Sequence, residues 1–174
     1  MTAAAAWVGS KLMQPSLELH QPWMEVDYAA YADGEALLGW LNATLSLSAP
    51  TAFEANDALE RLAREIQARL AGAEIAHLKM TFSPEGGLND LAVVNLVRSD
   101  FVPELALRLE QPVSAGQLIL NLRGEAAPET LKAAVEAAAQ ELGRQVPGLV
   151  ARIDHLEHFR PEKPQPTHRV LAPV

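Results

Sequence analysis

Two segments with helical periodicity each lie between segments that alternate like β-strands, and this order predicts an α+β fold. We expect a two-layer sandwich of ferredoxin-like type, with two strand–helix–strand units in a mainly antiparallel sheet. Right-handed crossovers would place both helices on one face of that sheet. The predicted boundaries are an N-terminal arm over residues 1–36, the α+β domain over 37–158 and a proline-rich C-terminal tail over 159–174.

The first predicted unit begins at Leu37. Over residues 41–47, leucine and alanine alternate with polar residues, a period of two that predicts a strand with one buried face. Pro50–Thr51 is the predicted start of the helix, because the threonine and Glu54 have the spacing of a capping box. Gly72 is the predicted end of the helix, since glycine readily adopts the conformation that terminates one.

The middle of the chain is predicted to add strands to the sheet. Residues 75–82 alternate again and predict the second strand, and residues 83–90 predict a turn. Residues 91–98 are nearly continuous in apolar character, which predicts a central strand covered on most of both faces. Residues 100–113 are ambiguous: alternating leucines favour an edge strand, whereas Pro103 equally suits the first turn of a helix.

The second predicted unit follows the same plan. Residues 117–123 alternate like a strand, and Pro128 is placed where a first helical position is expected. Residues 131–146 carry an apolar stripe at helical spacing, which Pro147–Gly148 terminates. A last strand is predicted over residues 149–156.

Composition excludes several classes of function. Fourteen basic and 22 acidic residues give a net charge of 14 − 22 = −8, which argues against a nucleic-acid partner because the polyanion would be repelled. The sequence has no cysteine, so thiolate metal sites, disulfides and cysteine nucleophiles are excluded. We expect a cytoplasmic protein with no membrane contact, since residues 1–8 lack the basic start of a signal peptide and no apolar run is long enough to span a bilayer.

Catalytic motifs are missing from the sequence. The phosphate-binding pattern G-x-x-x-x-G-K-[ST] and the nucleophile pattern G-x-S-x-G do not occur. We therefore expect neither a cofactor nor an enzymatic activity. The prediction is a binding protein.

The sheet face that the helices leave uncovered is the first candidate site. Alternation assigns to it a mixed polar set with one large aromatic residue, which we predict to bind a partner unless the N-terminal arm covers it. The predicted residues are Trp40, Asn42, Thr44, His77, Lys79, Asn121 and Arg123. A homodimer through this face is compatible with the same pattern.

A metal or small-ligand site is the alternative prediction. Its candidate ligands are His77, His155, Glu157 and His158. On a strand, His155 and Glu157 would share a face and His158 would lie opposite, so this trio cannot close a site that needs three convergent ligands. Scattered histidines are also commonly hydrogen-bonding residues without a metal.

The proline-rich tail is the second candidate partner site. Its P-x-x-P spacing favours a polyproline II conformation, which is preordered and readily bound, although such a tail also packs along its own domain in many proteins. The tail residues predicted to dock a partner are Arg160, Lys163, His168 and Arg169.

Five strings, read in order, resemble a known family. They are LGWLNATLSL, EIAHLKMTFSP, VVNLVRSD followed by LILNLRGEAAPETL, and the terminal HFRPEKPQPTHR. Their order and spacing over residues 32–169 are similar to the C-terminal region of CobW-type (cobalamin-synthesis-related) GTPases, a class of metal chaperones. The resemblance implies an accessory domain without the GTPase domain that carries the nucleotide and the cysteine motif. It also implies a CobW-type GTPase or a metalloprotein client as the partner.

Overall fold

The computed structural model describes residues 38–87 and 90–161. Within these ranges the chain forms an α+β fold, as predicted, with six strands and two helices. The elements are β1 Gly39–Phe53, α1 Ala55–Arg69, β2 Ile75–Pro84, β3 Ala92–Leu96, β4 Glu104–Leu107, β5 Val113–Gly124, α2 Pro128–Gln145 and β6 Val150–Phe159. The predicted arm and the tail beyond residue 161 lie outside the described residues.

The six strands form one sheet in the order β4-β3-β2-β5-β1-β6, and every neighbouring pair is antiparallel. Helix α1 connects β1 to β2, and β5 lies between these two strands. Helix α2 connects β5 to β6, and β1 lies between them. The sheet is larger than the four strands of the two predicted units, because β3 and β4 form a hairpin that extends it beyond β2.

Both helices contribute to the same hydrophobic core as one face of the sheet. Strand β1 supplies Leu41, Leu45 and Leu47, each without exposed surface. The central buried residues of the helices are Leu59, Leu62 and Ile66 of α1 and Leu131, Val135 and Leu142 of α2. The apolar stripes recognised in the sequence are therefore the faces that the helices bury against the sheet.

The predicted start of the first helix is wrong by four or five residues. Strand β1 continues through Pro50–Thr51, and α1 begins at Ala55 after Glu54, which makes no side-chain capping bond. The ladder between β1 and β5 is irregular between Ser48 and Phe53. The amide hydrogen that Pro50 lacks therefore falls where no regular ladder bond is required, so the proline does not end the strand.

The ambiguous stretch over residues 100–113 contains a strand. Strand β4 covers Glu104–Leu107 and is the outermost strand beside β3, so the predicted edge strand is confirmed. At the other edge, β6 extends to Phe159, three residues further than predicted. Neither helix of the described part is long and apolar enough to cross a membrane.

Candidate partner-binding face

Strands β2, β5, β1 and β6 present a second face, opposite to the helices, which we call the open face. Along β1, fully buried residues alternate with half-buried Trp40, Asn42 and Thr44. No helix of the described residues packs on this face. The antiparallel registers bring the following residues onto it: Trp40, Asn42, Thr44, His77, Lys79, Thr81, Ile119, Asn121, Arg123, His155, Glu157 and Phe159.

Four of these residues form one row across the four strands. Phe159 is opposite Trp40, which is opposite Arg123, which is opposite His77. We call these four residues the Trp40 row. Strand order alone produces this row, because β5 inserts between β1 and β2, and the predicted site residues of distant segments thereby become neighbours.

Trp40 is held between an aromatic ring and a cation. The guanidinium carbon of Arg123 lies 3.7 Å from the centre of the indole ring, a cation–π contact. On the other side, the ring of Phe159 is 5.9 Å away and tilted by 42°. The indole Nε1 is buried and has no hydrogen-bond partner among the described residues. Buried tryptophan N–H groups usually have a partner, so this donor is unsatisfied within the described residues.

The neighbouring row is polar and partly paired. Asn121 Nδ2 donates a hydrogen bond of 2.8 Å to Asn42 Oδ1 across β5 and β1. Lys79 is opposite Asn121 on the other side. Among the described residues, no carboxylate pairs with Lys79 or with Arg123. The open face thus holds uncompensated positive charge on a chain whose net charge is −8.

The pKa of His77 reflects its partial burial first and these cations second. Partial burial lowers the pKa of His77, and the positive charges of Arg123 and Lys79 lower it further. The imidazole is therefore neutral at neutral pH. Lys79 and Arg123, with which no carboxylate of the described residues pairs, are suited to receive an acidic group.

Strand β6 carries an irregularity that the sequence pattern did not predict. Ile153 is opposite Leu45 and His155 is opposite Thr44, so Asp154 is an extra residue, a β-bulge. Asp154 accepts a hydrogen bond from the Ser46 hydroxyl on the open face. The bulge reverses the alternation of β6, and residues on both sides of it therefore reach the open face.

The structure brings two of the four candidate metal ligands together and separates the other two from them. His155 Nε2 is 3.1 Å from a carboxylate oxygen of Glu157 on the open face. His158 is opposite buried Leu41, hence on the core side, and its Nδ1 is buried without a partner among the described residues. His77 lies on β2, three strand spacings from β6, or about 14 Å. In the described residues, no three histidine or acidic side chains are grouped as a metal site requires.

Of the four tail residues predicted to dock a partner, only Arg160 belongs to the described part of the chain. Its guanidinium donates to the carbonyl oxygen of Ala126 over 3.5 Å. Lys163, His168 and Arg169 lie outside the described residues. The tail prediction therefore stays a prediction.

A shallow depression of about 480 Å³ lies at the far end of the open face. It is lined by Ser46, Ser83 and Gln117, with Glu85 as its one ionisable residue.

Phe159 is the member of the Trp40 row that sequence reasoning missed, because it was assigned to the tail. The alternation of His155 and Glu157 continues to Phe159, and this extension was the available signal. Comparisons of the chain with protein families, with curated proteins and with solved structures give no match.

Proposed function

We propose that this chain is a non-catalytic accessory module that docks a partner protein through the open face, with the Trp40 row at the centre of the contact. The proposal includes the relation to the C-terminal region of CobW-type GTPases, a role in cobalamin or metal homeostasis, and a cytoplasmic location. It also includes a ferredoxin-like, two-layer core, for which the strand order β2-β5-β1-β6 and the common core of both helices are the support.

The observation that carries the docking proposal is the stack of the Arg123 guanidinium on the half-buried ring of Trp40. Tryptophan and arginine are the residues most enriched among those that dominate binding energy at protein interfaces. Here they are neighbours on a rigid sheet, so a partner would not need to order them. Preorganisation of this kind lowers the entropic cost of association.

The charges of the face specify the chemistry of the partner. Arg123 and Lys79 have no carboxylate partner among the described residues, and the lowered pKa of His77 has these two cations among its causes. A partner surface with aspartate or glutamate side chains would compensate them.

The proposal is tested by capture from the native host, followed by binding measurements with the purified partner. We expect recovery of a P-loop GTPase of the CobW class or of a metalloprotein client. Arg123→Ala should weaken its binding about thirtyfold, the equivalent of about 2 kcal/mol for a central interface residue. The matched control is Arg64→Ala on α1, whose side chain is 56% exposed and should bind the partner like the wild type.

Two results would contradict the proposal. Recovery of no such partner at native expression would remove the functional assignment. Equal binding by Arg123→Ala and Arg64→Ala would move the docking site away from the open face. Circular dichroism of both variants ensures that lost binding is not lost folding.

A further inference from the structure

Strand β6 is an edge of the sheet and carries a pattern that the docking proposal does not use. It is ten residues long and pairs with β1 on one side, while the described residues place no strand on its other side. Exposed strand edges present unpaired N–H and C=O groups that can accept another strand. The opposite edge, β4, has only four residues.

The charged residues of β6 are arranged symmetrically about its bulge. Arg152 and Asp154 precede the centre and His155 and Glu157 follow it, and all four lie on the open face. Read along the strand, basic and acidic residues alternate. An antiparallel copy of the same strand therefore meets each basic residue with an acidic one, if the two-fold axis passes between Asp154 and His155.

The apolar residues of β6 follow the same symmetry. Ile153 and Leu156 flank the centre on the core side, where they are half-buried against the core. At the two ends of the strand, the side chains of Val150 and Phe159 are 59% and 41% exposed. In the antiparallel arrangement, Ile153 would lie opposite Leu156 of the second copy, and Val150 opposite its Phe159.

We propose that a second copy of this chain binds along β6, through antiparallel pairing of β6 with itself, centred between Asp154 and His155. The two sheets then form one continuous sheet of twelve strands. Arg152 lies opposite Glu157 of the second copy, and Asp154 opposite its His155. The backbone ladder and the contacts of Ile153 with Leu156 supply affinity, while the charges select the register.

The bulge makes this register unique. A shift by one residue places open-face residues opposite core-side residues near both ends of the strand. A shift by two residues, according to its direction, places Arg152 opposite His155 or Asp154 opposite Glu157, which are pairs of like charge when ionised. Bulges commonly protect strand edges from pairing. A second copy of β6 carries the same bulge at the same place and therefore bends in the same way, so the two bent edges can still pair.

The test is the molar mass in solution, measured by sedimentation velocity across the micromolar range. We expect the wild type to approach twice 18.8 kDa as its concentration rises. Arg152→Glu places two acidic residues opposite each other, and Glu157→Arg places two basic residues opposite each other. Each single variant should therefore dimerise at least tenfold more weakly than the wild type.

Charge reversal also provides a rescue that a merely structural effect would not give. An equimolar mixture of Arg152→Glu and Glu157→Arg restores opposite charges at both positions, so the mixture should dimerise although neither variant does so alone. The double variant Arg152→Glu/Glu157→Arg should recover the homodimer. Arg64→Glu is the matched control, since it also breaks an exposed ion pair, with Glu60 on α1, and should leave dimerisation unchanged.

A wild type that stays monomeric throughout this range would overturn the proposal. So would a dimer that both single variants leave intact, or a mixture that fails to restore it when circular dichroism shows each variant to be folded. Partner docking through the Trp40 row involves neither Arg152 nor Glu157. Failure of this proposal and failure of the docking proposal are therefore distinguishable.

Discussion

The two faces of strand β1 place different demands on the same run of residues. The helix-covered face is built from leucine and alanine with no more than 1% exposure from Leu41 to Leu47. The open face, on the intervening residues, is built from tryptophan, asparagine and threonine, all half-buried. One face therefore supplies the buried core, and the other carries polar and aromatic side chains that are available for contact.

Polar partners differ between the two faces in the same way. None of the described residues with a polar or charged side chain is fully buried, so the core depends on apolar packing alone. The open face has a hydrogen bond between the side-chain amides of Asn121 and Asn42 and a cation–π stack. It also has an indole N–H without a partner among the described residues. Directional contacts of this kind select a ligand, whereas apolar packing mainly supplies stability.

The largest effect that separates the two faces is expected from Leu45→Ala. Leu45 has no exposed surface, so the substitution removes buried methyl groups and leaves a cavity. We expect a loss of about 2 to 5 kcal/mol in the free energy of unfolding, measured by urea denaturation.

The matched variant is Thr44→Ala, one residue away on the open face. Its expected loss is below about 1 kcal/mol, the usual range of cross-strand contacts. Equal losses for the two variants would mean that the open face is packed as tightly as the core. The separation of stability from binding would then fail.

A finer comparison within the open face uses two replacements of one residue. Trp40→Ala removes both the contact with Arg123 and the contact with Phe159, so we expect a loss of about 1 to 2 kcal/mol in the free energy of unfolding. Trp40→Phe keeps a ring and removes the buried N–H that has no partner in the described residues, and we expect a loss below about 1 kcal/mol.

Binding should separate the same two variants. Trp40→Phe keeps an aromatic ring under the Arg123 guanidinium and should retain most of the affinity for the partner, whereas Trp40→Ala removes the ring and should lose it. Isothermal calorimetry with the captured partner measures both affinities. Full affinity of Trp40→Ala would assign the stack no role in recognition.

The helices and strands could be predicted from local sequence patterns, but the order of the strands in the sheet could not. The alternation of β1 and the apolar stripes of both helices identify the core, because the spacing of buried side chains along a strand or helix is visible in consecutive residues. The start of α1 was predicted wrongly, since the capping-box spacing of Thr51 and Glu54 is also compatible with a strand that continues. Local signals do not decide between these outcomes; the ladder with β5 does.

The candidate site depended on information that is not local. Alternation assigned Trp40, His77 and Arg123 to one face, but their contact follows from the insertion of β5 between β1 and β2. Likewise, uninterrupted alternation would place Asp154 and His155 on different faces, and the bulge places both on one. Strand order and bulges arise from pairing between distant segments, which a single sequence does not display.

The smallest expected effect is a change in the pH dependence of stability, caused by His77 on the open face. The pKa of His77 is lowered in the folded state by burial and by Arg123 and Lys79, so the unfolded state binds a proton more readily. The contribution of His77 to stability is therefore fully present above the unfolded pKa of about 6.5 and is lost as the pH falls from there through the lower pKa of the folded state. His77→Gln removes this loss. We expect the melting temperature of the wild type to fall more than that of His77→Gln between about pH 8 and pH 5.5. The effects of all other titratable groups are the same in both proteins, so they cancel in the difference between the two curves. Parallel curves would mean that neither burial nor the two cations lower the pKa of His77, and the acidic character proposed for the partner would lose this support.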